Sequence, residues 1–295
     1  MYGASLPLLS TDILPRAATL ACPISITLAC VVAEDPDSFG HQQASAPFTH
    51  KNQISNISTI ALDGRNAVDL CVNDSYHLNV GALFISQLKA HVGTPPLSFR
   101  DVVTTFGRAQ DVTLQAVELC STEWDPEEEE YGLCDLRLID LDANTVVAIL
   151  GYISSVELLF IGRCSLRGQP LAVAHSYVPT IILEEIGDDL APFLSDWHGK
   201  VLVIRNCSGF GDHVLGVLEG AIDKHKWFPF RSMTLGIHDS PSFSVAALKH
   251  LVESTLTGRG VPRVQFEIGI TGKCPTLSPE DRTWFEANLV SFHWG

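Results

Sequence analysis

Between Ile57 and Thr271 a short apolar unit returns again and again along the chain. Its template is an apolar residue at places 1, 4 and 6, then a small, polar or cysteine residue at place 9. Val156, Leu159, Ile161 and Cys164 fill it in full, as do Leu114, Val117, Leu119 and Thr122. Leu133, Leu136, Leu138 and Leu141 follow with an aliphatic ninth residue, and so do Val178, Ile181, Leu183 and Ile186. Later copies keep the middle pair and loosen the edges: Gly199, Leu202, Ile204 and Cys207, then Leu235, Ile237 and Ser240, then Phe266, Ile268 and Thr271. Ile57, Ile60 and Leu62 form an earlier copy. From Val117 onward, successive fourth places lie 19, 23, 22, 21, 33 and 31 residues apart.

Places 4 and 6 of an extended segment point to one face and place 5 to the other. A short strand with one apolar face cannot stand alone, so each copy must bury that face by stacking on its neighbours. Most of the intervals match the period of about 20 to 29 residues found in leucine-rich repeats. The two longer ones leave room for full helices. Residues 144–150 read as one helix and residues 212–222 as another, with Val214, Leu215, Val217 and Leu218 on a single stripe and Asp212 as its N-cap. A third spans 244–252, with Ser244 as N-cap and Ala247, Leu248 and Leu251 as the stripe. The expected fold is an α/β leucine-rich-repeat solenoid, parallel strands on the concave face and helices on the convex face. Residues 57–295 form the array, 33–56 a linker rich in Asp, Ser, Gln and Pro, and 1–32 a separate N-terminal piece.

Composition narrows the partners. Acidic residues number 34 against 19 basic ones, a formal charge of −15, which is the wrong sign for a phosphate backbone or an anionic membrane. No apolar run approaches the roughly 20 residues of a spanning helix. The apolar stretch around residues 20–32 has no basic cluster before it and contains Pro23, so it does not read as a signal peptide. Eight cysteines are scattered with no Cys-x-x-Cys pair, which argues against a zinc ribbon and for reduced thiols in the cytoplasm or nucleus.

Residues 201–212, VLVIRNCSGFGD, followed by a helix, resemble the repeats of fungal F-box proteins. Residues 239–252, DSPSFSVAALKHLV, resemble the next repeat of that group, and 16–28, RAATLACPISITL, are similar to the helix-then-strand stretch that joins an F-box to its repeats. The resemblance implies a non-catalytic recognition subunit of a cullin-type ubiquitin ligase, whose F-box grips a Skp-type adaptor while the repeats select a protein substrate. Only fifteen residues precede Arg16, too few for an F-box, although residues 6–14 faintly resemble its opening. Residues 1–32 are therefore expected to be a remnant of the junction, and adaptor binding is expected only if an F-box lies upstream. The alternative is a repeat-only interaction scaffold with no ubiquitin role.

Sharper chemistry is weak in the sequence. Gly209, Gly211 and Gly216 stand between a strand and a helix, with Asp239 at the end of the next strand, a remote echo of a dinucleotide site. The third glycine falls two residues late and four residues separate strand from glycine, so a repeat loop is the preferred reading. His175, His198, His213, His225, His238, His250 and His293 are dispersed without His-x-His or His-Glu-x-x-His, and no Gly-x-Ser-x-Gly elbow occurs. No catalytic residue, metal ligand or cofactor is expected. The acidic run at 127–130 reads as a solvated loop or a dock for a basic partner, and the aromatics at 227, 228 and 230 as core packing or an anchor. If places 3, 5 and 7 face the groove, a protein or peptide ligand meets Glu118, Arg137, Phe160, Glu184, Arg205, His238 and Glu267.

Overall fold

The structure is a computed structural model that describes residues 24–28, 52–63, 67, 71, 76–88, 97–107, 109–120, 131–167, 178–224, 232–257 and 265–295. Two compact units divide at residues 123 and 124. The stretches 16–23, 33–51, 127–130 and 225–231, to which roles were assigned above, lie outside the described residues.

The first unit carries β1 (Ile24–Leu28), β2 (Asn52–Asp63), β3 (Tyr76–Leu88), α1 (Phe99–Thr105) and β4 (Asp111–Val117). Each strand pairs in parallel with the next. Ile26, Ile60, Leu83 and Val112 form one cross-strand row, and Leu28, Leu62, Ile85 and Leu114 the row two residues on. Two expectations change here. β2 begins at Asn52, inside the stretch read as linker, and β1, assigned to the separate N-terminal piece, is a strand of the same sheet. β3 is a further copy of the unit: Val80, Leu83, Ile85 and Leu88 occupy places 1, 4, 6 and 9, and all four are buried.

The second unit runs β5 (Tyr131–Ile139), α2 (Ala143–Leu150), β6 (Ile153–Gly162), β7 (Thr180–Glu184), α3 (Ala191–Leu194), β8 (Val201–Arg205), α4 (Asp212–Lys224), β9 (Ser232–His238), α5 (Val245–Thr257), β10 (Gln265–Thr271), α6 (Pro279–Asn288) and β11 (Ser291–Trp294). Its seven strands lie side by side in chain order, all parallel. Leu136, Leu159, Ile181, Leu202, Leu235, Ile268 and Phe292 share one row; Leu138, Ile161, Leu183, Ile204, Ile237, Ile270 and Trp294 share the next. Leu159, Ile161, Leu202 and Ile204 are fully shielded from solvent. Each such aliphatic side chain contributes about 1.5–3 kcal/mol on burial, which is what drives one short strand onto another. The apolar stripes of the helices are buried as well, Val146 and Ile149 on α2, Val214, Leu215 and Leu218 on α4, Leu248 and Leu251 on α5. α4 packs between α3 and α5.

From β3 to β10, place 8 takes left-handed backbone at or near the strand's end. Gln87, Ala116, Asp140, Arg163, Glu185, Asn206 and Asp239 all have φ between 50° and 57°, and Gly272 has φ 77°. Left-handed backbone is costly for a residue with a Cβ, and here a hydrogen bond offsets it. The Asp140 N–H donates to Gly162 O at 3.0 Å, Arg163 to Glu184 O at 2.9 Å, Glu185 to Arg205 O at 2.8 Å, and Asn206 to His238 O at 2.8 Å. The strand ladder thus extends one bond past the last extended residue.

Place 9 explains the cysteines. The Cys164 thiol donates toward Leu138 O and Gly162 O and accepts from the Leu141 N–H at 3.4 Å. Cys207 repeats the arrangement one strand pair later, with Leu183 O, Arg205 O and the Ile186 N–H. Ser240 accepts from the Cys207 N–H at 3.1 Å and donates to His238 O. At the two cysteine turns the donor-acceptor side chain pairs the Leu141 and Ile186 amides, while Leu88, Val117, Leu141 and Ile186 fill the same place with an apolar side chain. Burial pushes the Cys164 thiol up to about 11 and raises that of Cys207, so both stay protonated and keep the S–H donor.

Register differs from the expected one at two strands. In β4, Val112 and Leu114 lie opposite Leu83 and Ile85, so Leu114 holds place 6 rather than place 1 and Val117 holds place 9. In β10, Ile268 and Ile270 lie opposite Leu235 and Ile237, two residues further along than expected. The intervals Leu202 to Leu235 and Leu235 to Ile268 are then equal, 33 residues each. Helix capping also departs in one place. Ser244 caps α5 as expected, accepting from the Ala247 N–H at 3.1 Å, but Asp212 opens α4 and turns its carboxylate to the Ser244 N–H, tying one helix start to the next.

Candidate recognition face

Places 3, 5 and 7 of the second unit form three rows on the face opposite the packed one. The middle row is Arg137, Phe160, Ile182, Val203, Gly236, Gly269 and His293. Asp135, Leu158, Thr180, Val201, Thr234, Glu267 and Ser291 flank it on one side. Ile139, Gly162, Glu184, Arg205, His238 and Thr271 flank it on the other. Six of the seven residues named from the sequence stand in these rows. Glu118 does not: it belongs to the first unit and follows β4, two residues past the left-handed Ala116, and its N–H donates to Leu88 O at 2.8 Å. Glu267 is at place 3 rather than 5, which leaves it on the same face.

The charges of the face are mostly paired within it. Arg137 donates to both oxygens of Asp135, from Nε at 3.2 Å and from Nη2 at 2.9 Å. Glu184 and Arg205 are direct neighbours across β7 and β8 and pair at 3.3 Å. Beyond the strand ends, Arg163 grips Asp140 at 2.7 and 2.9 Å. Exposed pairs of this kind contribute little to stability. His238 Nδ1 meets Thr271 Oγ1 at 2.5 Å, and the Thr234 hydroxyl donates to Glu267 at 3.4 Å.

The centre is apolar: Phe160, expected there, is joined by Ile182 and Val203, which were not among the expected groove residues. Phe160, Ile182 and Val203 are consecutive and half-buried. The Phe160 ring lies over Gly162, where a Cβ would stand 2.8 Å from Cε1. Strict alternation within each strand was the available signal for Ile182, Val203, Gly236 and Gly269, since all four are at place 5.

The remaining candidates have structural explanations. A Cβ on Gly209 would collide with Asp188 O, and one on Gly211 would stand 3.2 Å from Ser242 O, so both glycines allow adjacent loops to touch. Within each unit the described strands lie in chain order, without the reversal at which doubly wound folds bind dinucleotides. His213 is 2.5 Å from Asp189, His250 is 3.4 Å from Glu219, and His198 meets its own loop at Asp196 O. Among the described residues no cluster of His, Cys, Asp or Glu is arranged to hold a metal ion, and no described helix is long and apolar enough to cross a membrane. No protein-family model matches the chain, and neither the curated proteins nor the solved structures contain a match to it.

Proposed function

We propose that the chain is a leucine-rich-repeat solenoid that recognises a protein or peptide on its open sheet face, as the substrate-selecting part of an F-box-type ubiquitin-ligase subunit. The observation that supports this reading best is the face itself: an apolar strip of Phe160, Ile182 and Val203 bordered by the Arg137–Asp135 pair on β5 and the Glu184–Arg205 pair across β7 and β8. Such a mixture of an apolar centre and a charged rim suits a polypeptide surface. In this reading the role is binding rather than chemistry.

The test is crosslinking in cell extract with the chain tagged, comparing wild type with Arg205→Glu and Arg137→Glu. Each reversal places a second negative charge beside Glu184 or Asp135, so the partners captured by wild type are expected to be lost from both variants. An unchanged partner set removes the face from consideration. Recovery of a Skp-type adaptor supports the ligase role; stable partners without one favour a repeat-only scaffold.

A further inference from the structure

We draw no further inference here: the strongest candidate, the apolar surface patch at the β11 edge of the second unit's sheet, where Val290 is exposed beside the half-buried Phe292, carries nothing because nothing in the structure shows what covers it.

Discussion

Two glycines three residues apart on and just after β10 do opposite jobs. Gly269 has open space around its missing Cβ, whereas Gly272 has φ 77° and a Cβ there would lie 2.3 Å from Asp239 Oδ1, the oxygen that also accepts the Lys273 N–H. Gly272→Ala should therefore cost about 1–3 kcal/mol, from left-handed strain and the displaced carboxylate. Gly269→Val should cost nothing or stabilise slightly; urea melts of the two variants check this. The buried thiols make a second prediction at this scale. Unfolding releases Cys164 from about 11 to its ordinary 9.0, so the folded state holds the proton more tightly. Stability is whole below pH 9 and falls as pH rises toward 11. Replacing Cys207 by Ser should preserve the bonds to Arg205 O and the Ile186 N–H, whereas Cys207→Val should cost about 1–3 kcal/mol by stranding that amide. Thermal melts across that pH range, with and without the substitutions, check both.

Elements here are tied to their neighbours by loops as much as by strands. Asp188, after β7, accepts from the Arg167 N–H at 3.0 Å, the Ser165 hydroxyl at 2.9 Å and the Leu166 N–H at 2.6 Å, all on the turn after β6. Those donors, the Arg167 amide foremost, lower its pKa. The stability it supplies is present above its ordinary 3.8 and is lost as pH falls through the lowered value. Asp188→Ala should cost about 1–2 kcal/mol at neutral pH and remove part of the acid sensitivity, measured by melts from pH 7 down to pH 3. The strands themselves were legible in the sequence, because a parallel ladder buried on one face demands aliphatics at places 4 and 6. Their registers at β4 and β10 were not. Phe266, Ile268 and Ile270 are all buried, so any two of them satisfy the template, and only pairing with β9 chooses. The left-handed residue at place 8 is Gln, Ala, Asp, Arg, Glu, Asn or Gly by turns, so no one residue type marks it. Glu118 lies past the end of β4 with no such mark to show it, and β3 carries a full copy that no turn residue marks.

At the scale of the molecule, the second unit's sheet finishes over an aromatic cluster. Phe285 of α6 stacks on Phe292 with centroids 5.1 Å apart and planes inclined 15°, while Trp284 meets it edge-on at 5.1 Å. Trp294 bridges Phe285 to Phe243, and Phe243 meets Phe210 at 5.9 Å. Phe285 is fully buried, so Phe285→Ala should cost about 3–5 kcal/mol. Because each repeat leans only on the next, that loss should release β10 and β11 before β7 and β8. Amide exchange read strand by strand checks the order.

The bond that each left-handed residue throws onto the following strand has one more consequence. Asp140, Arg163, Glu185, Asn206, Asp239 and Gly272 all reach forward, so from β5 to β10 the amide at place 8 is shielded by the following strand. Peeling the sheet from its β11 side strips those shields one at a time, like lifting roof tiles from the top course. Pulled from the β5 side, the same sheet gives up a strand without uncovering the amides behind it. Unzipping under tension should thus depend on which terminus is held.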